Sequence, residues 1–283
     1  MLIPGVYRMV LHKALLTILL VSGMCTLLPA ADIHRLEVFS SSMQMKLACL
    51  VFTPDGYTAD SSNYNTIYLL HGYTGNENSW LKDAPHLPTL VDQYRVLVVC
   101  PDAENSWYLD CPAKPEWKFE TYMTQELVPA IDSLFRTNPN KNGRAIAGLS
   151  MGGHGALFLA ARHPDLFGAA GSMAGGLDLT AFPTGWNLQD ILGNAQEHSD
   201  TWTQHSVWYH ADAFAANNQA LYLDCGTDDF FLEANRRTHQ VLLEKNVPHF
   251  YQERPGEHNG AYWGDAVRYQ FLFFSLFFAG EGE

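Results

Sequence analysis

The sequence predicts an α/β fold, with a mostly parallel central sheet and helices on both faces. Three observations carry that prediction. Short apolar runs of strand length alternate with segments of helical pattern. A glycine-framed serine, Gly148-Leu149-Ser150-Met151-Gly152-Gly153, sits between one such run and one such segment. The chain has 283 residues, enough for one large α/β domain with a sizeable core. Its 47% apolar and 17% charged residues are ordinary for a globular protein. No internal repeat or low-complexity tract argues for a solenoid or a long disordered tail.

The chain opens on a targeting pattern. Arg8, His12 and Lys13 precede the apolar stretch 14–21, and Pro29-Ala30-Ala31 supplies small residues before Asp32. Residues 1–31 are therefore read as a cleaved signal peptide, with Met9 as an alternative start. The apolar stretch is shorter than the ~20 residues that spanning a bilayer needs. Ser22-Gly23-Met24-Cys25 is a poor lipobox, because Met precedes the cysteine. The expectation is export to the periplasm or the medium. Residues 32–283 are expected to form a single catalytic domain. Removing Arg8 and Lys13 changes the charge from −13 to 15 − 30 = −15. An acidic chain without a basic stripe excludes nucleic acid and anionic membrane as natural partners.

Along the mature chain, residues 33–40 and 45–52 are β-patterned and predict an antiparallel edge hairpin. Residues 54–65 are polar and turn-rich. Residues 66–70 and 95–100 are compact apolar strands, ending at His71-Gly72 and Pro101. Between them, residues 80–94 predict a crossover helix interrupted by prolines. Residues 120–135 are helical, with Tyr122, Leu127, Ile131 and Leu134 at core-facing spacing. Residues 143–147 predict a buried strand, 154–162 a helix ending before Pro164, and 169–173 a further short strand. Residues 176–217, irregular and rich in Trp, Asn, Gln and His, are read as a short cap insertion. Strands follow at 221–225 and 247–252, separated by a helix at 230–245. A helix at 262–278 closes the reading. Its run of phenylalanines is too short of charge-free length to span a membrane, since Asp265 and Arg268 interrupt it.

Four cysteines remain after residue 31. Cys49, Cys100 and Cys225 fall in strand-like runs and read as small buried hydrophobes. Cys111, before Pro112, is the one expected to be exposed. An even count permits disulfides, but spacing gives no connectivity. No Cys or His pair has metal-ligand spacing, so neither a metal nor a cofactor is expected.

The chemistry centres on Ser150. Gly-x-Ser-x-Gly between strand and helix is the pattern of a nucleophile elbow. There the serine is held in a strained turn at the carboxyl edge of the sheet, and flanking side chains would clash. A serine that merely caps a helix is the competing reading. Two downstream loops decide between them. Gly226-Thr227-Asp228-Asp229 follows one predicted strand, and Gly256-Glu257-His258 follows another. Serine, acid, histidine is the chain order of α/β-hydrolases, and loops at strand ends are where such sheets hold ligands. His258 is the candidate base for Ser150, and either Asp228 or Asp229 can orient the imidazole. The Met151 N–H and the Tyr73 N–H are the candidate oxyanion donors, Tyr73 lying in the loop after the first parallel strand.

These segments resemble the esterase D-like branch of the α/β-hydrolases. The resemblance rests on His71-Gly72-Tyr73-Thr74-Gly75-Asn76-Glu77-Asn78-Ser79-Trp80, Asn105-Ser106-Trp107-Tyr108, Gly148 to Gly155, Cys225 to Phe230, and Gly256-Glu257-His258 with Trp263. It spans most of the mature chain. Similarity is strongest to secreted tributyrin and acetyl esterases, with feruloyl esterases, S-formylglutathione hydrolases and mycolyltransferases more distant. The resemblance implies an α/β-hydrolase fold and places the acid of a Ser150–His258–Asp229 triad on Asp229. It implies Tyr73 and Met151 as oxyanion donors.

Trp80, Trp107, Tyr108 and Trp186 are candidates to line the acyl or sugar pocket. The expected activity is hydrolysis of short acyl esters, acetyl foremost, on small molecules or carbohydrates. The alternatives are a feruloyl esterase on plant polysaccharide, an S-formylglutathione hydrolase-type thioesterase, an acyltransferase, and a non-catalytic binding protein. His-Gly-Tyr-Thr-Gly departs from the Ser-Gly-Leu-Thr-Cys typical of formylglutathione hydrolases. Binding alone would not need an apparently complete triad.

Overall fold

Period-two burial along short strands builds one sheet with a core on each face. The computed structural model describes residues 31–59 and 61–280. The signal-like segment lies outside the described residues except for Ala31. The strands are Asp32–Ser40 (β1), Met45–Thr53 (β2), Thr66–Leu70 (β3), Leu97–Pro101 (β4), Arg144–Leu149 (β5), Ala169–Met173 (β6), Ala220–Gly226 (β7) and Phe250–Arg254 (β8). They pair in the order β1-β2-β4-β3-β5-β6-β7-β8. The β1–β2 hairpin is antiparallel and joins β4 antiparallel. All pairings from β4 through β3 to β8 are parallel. Tyr68, Leu70, Val99 and Ile146 point into one core, and Ile67, Leu69, Val98, Ala145 and Ala147 into the other. The chain has the α/β-hydrolase fold.

The helices are Ser79–Asp83 (α1), Leu87–Tyr94 (α2), Phe119–Thr121 (α3), Val128–Leu134 (α4), Met151–Arg162 (α5), Leu188–Leu192 (α6), Ser199–Gln204 (α7), Ala211–Asn217 (α8), Leu232–Glu244 (α9) and Gly260–Phe278 (α10). Helices α4 and α5 cover one face of the sheet, and α2 and α10 the other. The predicted helix at 80–94 is two helices, because Pro88 opens α2. The segment between α3 and α4 is π-helical over Tyr122–Leu127, just ahead of Pro129, which has no N–H to offer. Leu134, placed on the buried face by spacing, is 62% exposed at the end of α4. Residues 176–217 are more helical than read, and Ile191, Trp202, Val207 and Phe214 join the core beside α5. Helix α10 buries Val267, Phe271 and Phe274 against the sheet. Among the described residues no helix is long and apolar enough to cross a membrane.

Two further expectations are corrected. The last strand begins at Phe250, three residues later than read. Val247 is buried in the turn after α9, its N–H donating to the Leu242 carbonyl at 2.9 Å. Cys111 is buried, because the following turn folds back and the Cys111 N–H donates to the Trp117 carbonyl at 2.9 Å. All four cysteines of the described residues are free thiols.

Topology concentrates function at one edge. The connection from β3 leads outward to β4, whereas that from β5 leads the opposite way to β6. Neighbouring β3 and β5 therefore form the switch point where open sheets leave a crevice beyond their carboxyl ends. Strands β7 and β8, which feed the other two loops, are tied together from behind. Asp224 of β7 is wholly buried and accepts from Tyr262 Oη at 2.9 Å and Gln270 Nε2 at 3.5 Å, both on α10. Arg254 Nη2, at the end of β8, lies 3.7 Å from Asp224 Oδ1.

Burial pushes the Asp224 carboxyl up from 3.8 to about 6, with Arg254 and Tyr262 opposing the shift. The folded state thus holds this proton more tightly than the unfolded chain. Its cost is absent below about pH 4 and grows until the pH passes about 6. Replacing Asp224 by Asn removes that term. Between pH 4 and 7 the urea-unfolding free energy of Asp224→Asn should gain on wild type by up to about 3 kcal/mol. A difference independent of pH would contradict this placement of the proton.

Candidate active site

Ser150 joins β5 to α5 in a backbone conformation of φ +54° and ψ −118°. For a residue with a side chain this is strained, by about 1–3 kcal/mol, and the surrounding packing must hold it. That packing is visible at the two framing glycines. A Cβ on Gly148 would stand 2.4 Å from the Gly152 carbonyl carbon, and one on Gly152 would stand 2.5 Å from the Leu70 carbonyl oxygen. Strand, turn and helix close up only because both positions lack side chains. The Ser150 N–H donates to the Met173 carbonyl at 3.0 Å, pinning the turn to β6.

The structure brings the three sequence-predicted side chains together. Ser150 Oγ lies 2.9 Å from His258 Nε2, and His258 Nδ1 lies 2.7 Å from Asp229 Oδ2. The buried Asp229 carboxylate accepts the Nδ1 proton, so Nε2 presents its lone pair to the Ser150 hydroxyl. Asp229 Oδ1 accepts the Phe231 N–H at 2.8 Å, which fixes the carboxylate. Asp228 is exposed, and among the described residues its side chain has one hydrogen-bond partner, Thr227 Oγ1 at 3.4 Å. Geometry thus separates the adjacent acids that residue chemistry alone left open. Such a relay can draw the serine proton onto His258 while Asp229 steadies the imidazolium.

The loop after β3 approaches the same point. His71 is buried, and its Nε2 accepts the Ala103 N–H at 3.0 Å. Its Nδ1–H therefore donates to the Gly72 carbonyl at 2.8 Å. A Cβ on Gly72 would lie 3.4 Å from Ser150 Cβ, so this loop stands over the serine. The Thr74 N–H is taken by Asn105 Oδ1 at 2.7 Å and the Gly75 N–H by the Gly72 carbonyl at 3.0 Å. Among the described residues no acceptor takes the Tyr73 N–H or the Met151 N–H. Both are donors to spare beside Ser150, as an oxyanion site requires.

A cavity of about 370 Å³ opens over these groups, its wall including Tyr73, Ser150, Trp186, Phe230, His258 and Trp263. Of the four aromatic candidates from sequence, only Trp186 lines it. Trp80 is 1% exposed, its indole N–H donating to the Leu70 carbonyl at 3.1 Å. Trp107 and Tyr108 are 1% and 0% exposed because both have left-handed backbone, φ +57° and +61°, which turns their rings inward. Tyr108 Oη donates to the His71 carbonyl at 3.1 Å, and Trp107 packs edge-on against His154. They form the floor beneath the site. The missed wall residues are Phe230, 4.3 Å from His258 between ring centres, and Trp263, 4.9 Å from it. Phe230 follows Asp229 directly and Trp263 comes five residues after His258, and that nearness in sequence was the available signal.

Comparisons with known proteins agree with this architecture. Residues 40–273 match the model of a family described as "Putative esterase". An acetyl esterase of Caldicellulosiruptor saccharolyticus is 27% identical, the match covering 76% of this chain and 85% of that protein. The S-formylglutathione hydrolase of mouse is 22% identical over 80% of this chain and 87% of its own length. A solved ferulic acid esterase superposes with a TM-score of 0.76 at 28% identity, covering 88% of this chain and 99% of that one.

The elbow geometry makes its own prediction. The methyl of Gly152→Ala has backbone oxygens on two sides, Leu70 at 2.5 Å and His71 at 2.6 Å. It should cost about 2–3 kcal/mol in urea unfolding. Gly185→Ala, whose nearest neighbour would be 3.7 Å away, is the control and should be near neutral. Equal effects at the two positions would refute the close-packing argument.

Proposed function

This chain belongs to the esterase family just described and is a hydrolase of carboxylic esters, and from that premise we propose that it is a serine esterase removing short acyl groups, acetyl foremost, from alcohols. The observation that carries the proposal is the unbroken hydrogen-bonded line from Ser150 through His258 to Asp229. In the proposed mechanism Ser150 Oγ attacks the ester carbon as His258 Nε2 takes its proton. The oxyanion is met by the Tyr73 and Met151 N–H groups, each such donor being typically worth about 10²–10³ in rate. His258 then gives its proton to the departing alkoxide, and the acyl group stays on Ser150. Water, deprotonated by the same imidazole, attacks the acyl-enzyme, and the carboxylic acid leaves as Ser150 recovers its proton. Asp229 stays ionised throughout and steadies the imidazolium.

Acetyl as the acyl group rests on likeness to the acetyl esterase. A feruloyl ester is the second reading. It is favoured by the parallel-stacked Trp186 and Phe230 rings, 5.6 Å apart at 18°, and by likeness to the ferulic acid esterase. Export belongs to the same proposal and rests on the basic, apolar and small-residue order of the first thirty-one residues.

With p-nitrophenyl acetate, Ser150→Ala and His258→Ala should each lose at least about 10³-fold in kcat. Turnover unchanged in either variant would sink the assignment. Asp229→Asn should lose about 10²–10⁴-fold, because the imidazole is then free to take the wrong tautomer. Asp228→Asn should stay within about threefold of wild type, as expected of an exposed side chain away from the relay. The reverse ranking would move the acid to Asp228.

A further inference from the structure

Helix α9 carries a buried amide that the hydrolytic steps do not use. Asn235, one turn into the helix, is wholly buried. Its Nδ2 donates to the Gly175 carbonyl at 2.8 Å and to the Phe231 carbonyl at 3.0 Å. Both partners only accept, so the amide nitrogen must face them and the amide oxygen must face away. That oxygen, Oδ1, has no hydrogen-bond partner among the described residues.

The two ends of this bridge belong to different halves of the site. Gly175 lies in the loop after β6, where its neighbour Gly176 donates an N–H to the Ser150 carbonyl at 3.3 Å. Phe231 lies in the loop after β7. Its N–H donates to Asp229 Oδ1 at 2.8 Å, and its ring packs edge-on against His258, 5.2 Å between centres. One side chain thus ties the backbone beside the nucleophile to the residue that holds the acid. A shift of Phe231 would carry the Asp229 carboxylate with it, and with that the 2.7 Å contact to His258 Nδ1.

Neither carbonyl depends on the bridge for a partner. Gly175 also accepts the Leu177 N–H at 2.9 Å, and Phe231 the backbone N–H of Asn235 at 3.0 Å. The side chain therefore rescues no orphaned backbone group. Burying its own unpaired oxygen is unfavourable, because that oxygen loses the hydrogen bonds it had in water. Asn is also a poorer helix former than Ala or Leu. On stability alone an apolar residue would serve the position better. A local rule broken without local gain is expected where function requires it. What the amide supplies is direction, through two fixed donors that an apolar side chain lacks.

Resting on the esterase reading above, we propose that Asn235 is a positioning residue: its amide holds Phe231, and through it Asp229 and His258, in hydrogen-bonding register with Ser150. The effect falls on the chemical steps, since Asp229 stabilises the imidazolium only once the serine proton has moved.

The test sets activity against stability in Asn235→Leu and Asn235→Ala. Leu keeps the branched outline without polar atoms, and Ala removes the amide with the least demand on packing. On p-nitrophenyl acetate kcat should fall about 10- to 100-fold in both variants, with KM within about twofold of wild type. The urea midpoint should stay at or above that of wild type in at least one of them. In the proton NMR spectrum the low-field resonance of His258 Nδ1–H, identified by its absence in His258→Ala, should broaden or move upfield. Wild-type kcat in both variants overturns the proposal, and so does an unmoved resonance. Activity lost only in step with the urea midpoint makes Asn235 purely structural and overturns it too. The resonance is read without substrate, so it tests the bridge even in a chain inert on p-nitrophenyl acetate; that inertness would overturn the esterase reading alone.

Discussion

The backbone of Gly152 touches the carbonyls of Leu70 and His71, and most of the candidate site depends on that contact. It is the point where β3, β5 and α5 converge at the switch in sheet order. Because neither Gly148 nor Gly152 has a side chain, the turn can hold Ser150 at φ +54°, and the loop after β3 can pass directly over it. Among the described residues the Met151 and Tyr73 N–H groups are left without an acceptor beside Ser150. His71, Trp80 and Tyr108 keep the contact rigid by engaging the Gly72, Leu70 and His71 carbonyls from below. Backbone bracing of this kind accounts for the buried aromatic and imidazole groups gathered there.

The other half of the site hangs on a second tie. Asp229 and His258 lie on loops after β7 and β8. Their separation is set by strand pairing, by the buried Asp224 against Tyr262 and Arg254, and by the close approach of Gly226 to the Gly256 carbonyl, 2.3 Å from a Cβ that Gly226 lacks. The loop after β6 joins the two halves: the Ala174 N–H donates to the Asp224 carbonyl at 2.8 Å, Asn235 Nδ2 of α9 to the Gly175 carbonyl at 2.8 Å, and the Gly176 N–H to the Ser150 carbonyl at 3.3 Å. Phe230, Phe231 and Trp263 pack around the His258 ring and narrow the orientations open to it.

Much of this was legible in the sequence, for physical reasons. Short apolar runs bounded by Gly and Pro marked strands β3 to β6 because burial on both faces permits little else there. The serine turn and the two acid and histidine loops were legible because each falls where a predicted strand stops. Legibility failed where neighbours in space decide. Trp107 and Tyr108 looked like pocket aromatics from their place after a strand, but left-handed backbone turned both inward. Cys111 beside Pro112 looked exposed until the chain folded back on Trp117. Val247 had strand character, yet a hydrogen bond to Leu242 made it the clasp of α9. Phe230, next to Asp229 in sequence, meets the His258 ring in the cavity wall, a contact that only the fold reveals.

The central claim is that Ser150 is nucleophilic because His258 and Asp229 make it so. The direct measurement is mass spectrometry of the intact protein after exposure to an organofluorophosphonate, with peptide mapping of the adduct. The account predicts one adduct per chain, located on Ser150, and its loss in His258→Ala under the same exposure. An adduct on a different residue, or full labelling of Ser150 in the absence of His258, would contradict it.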